Sequence, residues 1–231
     1  MIGEQVAIIG GTGDLGLGLA IRWAAAGVPV IIGSRDAARA EQAAESIRKK
    51  AAQVAAGEIS VNGKVNTEAA YSADIVVITV PFPAQGATLR DIKGSLREKT
   101  LVVDATVPLA ATVGGKPTRM LGVWQGSAAE QAREIIPAGN AVLAAFHNIS
   151  AAALTDWSQH LDCDVLVCGD DAWAKERLYP LIRMITGLRA VDAGPLESAR
   201  IVESITALLI GMNRRYKVPH AGLRLTGLPA T

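Results

Sequence analysis

Short β-branched runs alternate with alanine-rich helical segments, and the first of them ends in a glycine-rich turn. This predicts an α/β chain: a Rossmann-type parallel sheet with a small, mainly helical C-terminal domain. Three stretches carry the prediction. Val6-Ala-Ile-Ile runs into Gly11-x-Gly13-x-x-Gly16 and a helical Leu17–Ala26 closed by Gly27. Val28–Gly33 is a second apolar run, and Asp74-Ile-Val-Val-Ile-Thr-Val80 is an unbroken β-branched run of the kind buried on both faces of a parallel sheet.

The glycine turn has the order that a phosphate cradle requires. Gly11 is expected to permit the tight bend, Gly13 to let the backbone approach a pyrophosphate, and Gly16 to let helix pack on strand. The helix that follows would offer free N–H groups and a partial positive charge to the phosphates. The second run decides which dinucleotide. Chains that prefer NAD end this strand in Asp or Glu, which holds the ribose 2′-hydroxyl. Here it ends in Ser34-Arg35, with Arg39 one helical turn on. A hydroxyl and a guanidinium suit a 2′-phosphate, so the expected cofactor is NADP(H). Asp36 is the counter-indication, and its alternative reading is the cap of the next helix.

The remaining elements follow in order. A helix is expected over about Ala37–Ala56, with Glu41, Glu45, Arg48, Lys49 and Lys50 on its wet face, then a short strand near Ile59–Val61 and a helical turn near Thr67–Tyr71. After Pro81-Phe82-Pro83 a helix runs to about Arg97, followed by a buried strand Thr100–Asp104. Thr106–Gly126, with Gly114-Gly115 and Pro117, reads as an irregular, flexible loop. Ser127-Ala-Ala-Glu130 is a capping box opening a helix to about Ile136, and Asn140–Phe146 is the sixth strand. The dinucleotide-binding domain is placed at residues 1–148 and the smaller domain at 149–231. The latter holds a short helix near Ser150–His160, a strand Asp164–Cys168, a helix after Asp170-Asp171 ending near Gly187, a strand Arg189–Asp192, and a last helix from Glu197 to about Arg214. That last helix carries Ile201, Val202, Ile205, Leu208, Leu209, Ile210 and Met212, more apolar surface than one face can bury, which points to a buried helix or a homodimer seam.

Composition narrows the function. The chain has 231 residues, half of them hydrophobic and 19% charged, with a net charge of +1, which argues against nucleic-acid or membrane-surface binding driven by charge. Met1-Ile-Gly-Glu-Gln runs straight into the first strand, with no secretory signal, and no run is long enough to span a membrane, so a cytoplasmic protein is expected. Cys163 and Cys168 match neither a redox pair nor a metal spacing and read as buried thiols. His147, His160 and His220 stand apart, and Asp170-Asp171 reads as a helix cap before a metal pair, so no metal is expected. There is no G-x-S-x-G elbow. Tyr71, Tyr179 and Tyr216 have no Lys four residues on, so no protein acid for carbonyl reduction is visible. An oxidoreductase built this way needs a partner whose carbon gives or takes hydride directly.

Nearly the whole chain resembles the NADP-dependent oxidoreductases of the deazaflavin coenzyme F-420. The matching motifs are Gly10-Gly-Thr-Gly-x-Leu-Gly16, Gly33-Ser-Arg35, Thr79-Val-Pro81 and Gly126-Ser-Ala-Ala-Glu130. Further along come Phe146-His-Asn148, Val167-Cys-Gly-Asp-Asp171, Gly187-Leu-Arg189, Asp192-Ala-Gly-Pro-Leu196 and Ser198-x-Arg-x-Val-Glu-Ser204. The resemblance implies a homodimer that transfers hydride between NADP(H) and coenzyme F-420, with the deazaflavin in the cleft over the nicotinamide. Carried over by position, Thr12, Gly13, Asp14 and Leu15 line the pyrophosphate, and Ser34, Arg35 and Arg39 hold the 2′-phosphate. Val80, Pro81 and Ala151 flank the nicotinamide, and His147 the deazaflavin side. Phe82 departs from relatives that carry tryptophan there. No residue is assigned as catalytic acid or base. For His147 a structural histidine at a strand end is the alternative, and for Arg183, Arg189, Arg214 and Arg215 the choice lies between the coenzyme's anionic tail and solvated surface. Two other readings use the same scaffold: an NADPH-dependent flavin, ferric-chelate or imine reductase, or a non-catalytic NADPH sensor.

Overall fold

The computed structural model describes residues 3–55, 57–156 and 161–229. Six parallel strands form the main sheet: β1 (Val6–Ile9), β2 (Val30–Ser34), β3 (Val61–Val65), β4 (Ile75–Ile78), β5 (Leu101–Asp104) and β6 (Val142–Ala144), in the order β3-β2-β1-β4-β5-β6. The order reverses between β1 and β4, where the C-terminal edge opens a crevice. Successive side chains of the unbroken runs point to opposite faces, and both faces are covered. Val6, Ile8, Val30, Ile32, Val77 and Val103 pack into one core, and Ala7, Ile9, Ile31, Val76, Ile78 and Val102 into the other.

The helices between these strands are α1 (Asp14–Ala25), α2 (Ala37–Ala51), α3 (Asn66–Ser72), α4 (Phe82–Ile92) and α5 (Ala128–Ile135). Helix α2 stops short of the expected Ala56, which lies outside the described residues. Its buried stripe Ala40, Ala44, Ile47 and Ala51 ends at Ala51, and Val54 beyond it is exposed, so no apolar contact holds a further turn. The third strand begins at Val61, where Ile59–Val61 was expected, because Gly63 and Lys64 hide it from an apolar pattern. Gly63 lies flat against α2, and its N–H donates to Glu41 Oε2 at 3.0 Å. Helix α4 gives way to a 3-10 turn at Lys93–Ser95 before reaching Arg97. The loop after β5 is not wholly irregular: a 3-10 turn spans Ala110–Val113, and Leu109 bridges Met120.

The C-terminal part contains α6 (Ala151–Thr155), β7 (Cys163–Val167), α7 (Ala172–Arg183), β8 (Leu188–Asp192) and α8 (Ala199–Tyr216). The expected end of the short helix at His160 lies outside the described residues. Strands β7 and β8 pair in parallel, and Cys168 joins them to the main sheet by an antiparallel bridge to Ala144. One apolar core runs through both parts, from Val6 and Leu19 to Val165, Leu178 and Leu188. Helix α1 is the joint. Trp23 Nε1 donates to the Leu181 carbonyl at 2.8 Å, and the Trp23 ring meets Phe146 edge-on at 5.7 Å. The Arg22 guanidinium binds the carbonyls of Ala153, Leu154 and Asp156 at the end of α6.

Candidate cofactor-binding site

The cradle is built from the end of β1. The chain turns at Gly10, which has φ +83°; a side chain there would also strike Val80 Cγ1. This corrects the expectation that Gly11 makes the bend. Gly11 is closely packed instead: a Cβ there would come within 3.0 Å of the Ile8 carbonyl and 3.1 Å of the Ile32 side chain. Gly13 sits at the N-cap of α1, and a Cβ there would meet only the Gly10 carbonyl, at 3.4 Å. No side chain caps α1. Helices α2, α5, α6 and α7 are capped by Asp36, Ser127, Ser150 and Asp171, whereas α1, α3, α4 and α8 have no side-chain cap; of these four starts, that of α1 is the one at a glycine. Gly16 has the expected packing role. A Cβ there would lie 2.7 Å from Thr79 Oγ1 and 2.8 Å from Gly11 Cα.

At the end of β2, Ser34 is half-buried, and Arg35 and Arg39 are exposed. Neither arginine joins an ion pair among the described residues. Asp36 is spent on α2, where Oδ1 accepts the Arg39 N–H at 2.8 Å. Asp36 thus serves as the cap of α2.

The end of β4 completes the near wall. Thr79 N–H donates to the Ile9 carbonyl at 2.9 Å, Val80 leans over Gly10, and Pro81 takes the N-cap position of α4. Ala151 opens α6 against the second turn of α1, where Gly18 allows close approach to Leu154. Gly10, Gly16, Thr79 and Val80 thus meet where β1 and β4 end, and Ala151 and Leu154 lie against Gly18 of α1.

His147, expected on the deazaflavin side or as a structural histidine, lies buried just after β6. It is only 4% exposed, and neither ring nitrogen has a well-aligned hydrogen bond. Burial pushes its imidazole down to about 4, with the Thr106 backbone weakly opposing, so it is neutral at pH 7. Its carbonyl accepts from Thr206 Oγ1 at 2.6 Å, and Phe146 before it is held at φ +71°.

The Ser127 cap forms as expected, with Oγ accepting the Glu130 N–H at 3.0 Å, but Glu130 turns away to Arg200 and does not close the box. Asp171 caps α7 and Asp170 accepts the Leu196 N–H. Both cysteines are free and buried. Arg189 is not solvated surface. With Arg224 it holds Asp164, whose pKa is driven to about 2 although burial opposes the charge. Unforeseen in the sequence is a buried polar group beside the site formed by Gln85, Asp104, Thr106 and Glu203. The only sequence signals were a carboxylate ending an apolar strand and another inside an apolar helix stripe.

A family model described as NADP oxidoreductase, coenzyme F-420-dependent, matches residues 5–108. The F-420-dependent NADP reductase of Methanothermobacter thermautotrophicus is 50% identical over 97% of this chain and 96% of its own length. That of Methanocaldococcus jannaschii is 42% identical over 97% of this chain and 99% of its own. A solved structure from Arthrobacter sp. FB24, named for the same activity, superposes with a TM-score of 0.80 at 23% identity, covering 97% of this chain and all of that one. The chain belongs to the F-420-dependent NADP reductase family.

Proposed function

We infer that this protein transfers hydride reversibly and directly between NADP(H) and coenzyme F-420. The observation that carries the reading is the uncapped N-terminus of α1 at Gly13, with exposed Arg35 and Arg39 beyond β2 free of ion pairs among the described residues, in a chain half-identical to a reductase of that name along nearly its whole length. The alternative reductase and sensor readings have no comparable support. The two coenzymes supply the chemistry, a hydride passing between carbon 4 of the nicotinamide and carbon 5 of the deazaflavin.

The protein binds and orients. The first-turn N–H groups of α1, with Gly11, Thr12, Gly13, Asp14, Leu15 and Gly16 around them, hold the pyrophosphate. Ser34, Arg35 and Arg39 hold the 2′-phosphate. Val80, Pro81 and Ala151 flank the nicotinamide, and His147 backs the deazaflavin side as a neutral, buried support. No residue acts as acid or base. Alignment of the two rings supplies the rate enhancement, since fixing reactants in a near-attack geometry can remove several kcal/mol from a barrier.

Residues 1–148 form the NADP-binding unit, and 149–231 complete the deazaflavin cleft. The protein is a cytoplasmic homodimer without nucleic-acid partners. For the dimer the support is α8, where Ile201, Leu208, Met212 and Tyr216 form an exposed stripe opposite its buried Val202, Glu203 and Leu209. Among the described residues no helix is long and apolar enough to cross a membrane. The decisive experiment mixes purified protein, NADPH and oxidised coenzyme F-420 and follows the deazaflavin absorbance. Rapid bleaching, much slower with NADH, is the expected result; no bleaching with intact NADPH binding would overturn the assignment of the acceptor.

A further inference from the structure

A buried carboxylate at the end of β5 lies in a polar network that joins α4, the turn after β5 and the start of α5. Asp104 ends β5 with no exposure to solvent. Three donors converge on it: Thr106 N–H at 2.7 Å and Thr106 Oγ1 at 2.6 Å on Oδ1, and Gln85 Nε2 on Oδ2. Gln85, from α4, also reaches Thr106 Oγ1 and the Ala128 carbonyl, both at 2.9 Å, while its own Oε1 accepts from Gln131 Nε2 at 2.7 Å. The next two N–H groups, of Ala128 and Ala129, donate to Glu203 of α8 at 3.0 and 3.1 Å. The charged groups facing this network are acidic, Asp104, Glu203 and Glu130, and the last is paired with Arg200. No cation bonds to Asp104 or Glu203 among the described residues. Such a fully bonded buried network rigidifies what it touches.

What it touches is the proposed cleft. Helix α4, gripped through Gln85, begins at Phe82 next to Pro81. The Thr106 backbone faces the His147 ring, and Thr206 of α8 holds the His147 carbonyl from the other side. Between them Phe146 keeps a left-handed backbone, a strain that persists only where the surroundings over-determine it. We propose that Asp104 is a positioning residue for hydride transfer: by fixing Thr106 and Gln85 it sets the placement of His147 and of the helix carrying Pro81, and hence the alignment of the two rings. The proposal rests on the assignment of Pro81 and His147 to the walls of the hydride-transfer cleft. Asp104 touches no reacting atom. Its carboxylate accepts on both oxygens, whereas an asparagine would turn an N–H group toward a donor in either orientation.

The test compares wild type with Asp104→Asn in the full-length protein. NADPH affinity is read by fluorescence titration, turnover with coenzyme F-420 by absorbance, and the isotope effect with NADPH deuterated at the transferred position. Folding is checked by circular dichroism. The expected result is a folded variant with NADPH affinity within about twofold of wild type, kcat lowered roughly 10- to 100-fold, and a larger isotope effect on kcat, as a small misplacement of reacting groups produces. A folded variant with unchanged kcat and isotope effect, or one whose loss follows weakened NADPH binding, overturns the proposal. If Asp104→Asn does not fold, Thr106→Val decides: it removes the hydroxyl that joins Asp104 to Gln85 and leaves the backbone bond to Asp104 in place. Lowered kcat at unchanged NADPH affinity supports the positioning chain, and unchanged kcat refutes it. A wild type that binds NADPH but never bleaches coenzyme F-420 is a separate result, which removes the functional reading itself.

Discussion

Helices α1 and α5 both begin at the C-terminal edge of the same parallel sheet, and their N-termini have opposite fates. That of α1 has a glycine N-cap, no side-chain cap and open space at Gly13. That of α5 is filled from within: Ser127 caps it, and the Glu203 carboxyl takes the N–H groups of Ala128 and Ala129. Every helix start carries unsatisfied donors and a partial positive charge, so the donors alone do not mark a ligand site. What separates the two is supply. A protein carboxyl brought by α8 turns one into a joint between the two halves of the chain, and glycine at the critical position leaves the other without a side-chain cap, as the proposed phosphate site requires.

The comparison can be broken most severely at Gly13. Gly13→Val should leave the fold intact, because a Cβ there meets only one carbonyl at 3.4 Å, while blocking the approach of the pyrophosphate. NADPH and NADH affinities should both fall at least about 100-fold by calorimetric titration, equivalent to losing one or two charged hydrogen bonds. Retained binding would mean the α1 terminus is not the phosphate site. Arg35→Ala comes next. It should raise KM for NADPH roughly 10- to 100-fold and leave KM for NADH nearly unchanged, from the loss of about 1.5–3 kcal/mol of charge-assisted bonding. Equal effects on both cofactors would remove the 2′-phosphate assignment.

At α5 the expected effects are on stability. Glu203→Ala leaves two buried N–H groups without acceptors and should cost about 1–3 kcal/mol, a fall of several degrees in Tm. Added acetate or formate should restore part of that in the variant and none in wild type. If neither anion helps, the α5 terminus is closed packing and not an internally filled acceptor site. The smallest effect is in pH. Burial, aided by the neighbouring Asp104 charge, pushes Glu203 up to about 8 in spite of its two backbone donors. A carboxyl with a raised folded-state pKa contributes stability that is full below its unfolded pKa near 4.5 and is lost as pH rises through about 8. The difference in Tm between wild type and Glu203→Gln should therefore shift against wild type from pH 5 to pH 8. A constant difference over that range would show that Glu203 stays ionised when buried.

Much of this architecture was legible because it is local. The β-branched runs ending at Ile9, Ile78 and Asp104 read as buried parallel strands, since a strand covered on both faces needs no polar alternation. Gly13, Gly16 and Ser34-Arg35 suggested a phosphate turn and a 2′-phosphate pocket, because open space, close packing and a cation at a strand end are properties of the residue types themselves. Asp36 was ambiguous between ribose ligand and cap, and the cap won because its side chain is already bonded three residues ahead.

What only the tertiary structure decided depends on partners far away in the chain. The bend falls at Gly10 and not Gly11 because Val80, seventy residues on, occupies the space beside it. His147 is sealed and neutral because α8 and the β5 turn close over it. Arg189 is locked to Asp164 because β7 and β8 pair in register. Asp104 and Glu203 lie 99 residues apart and join through α5, a contact that no spacing encodes. The parallel sheet and the glycine turn after β1 are set by short-range geometry and residue type. How the second half is fastened over the crevice was decided by burial and long-range hydrogen bonding, because a polar group's energy depends on which partner the fold brings to it.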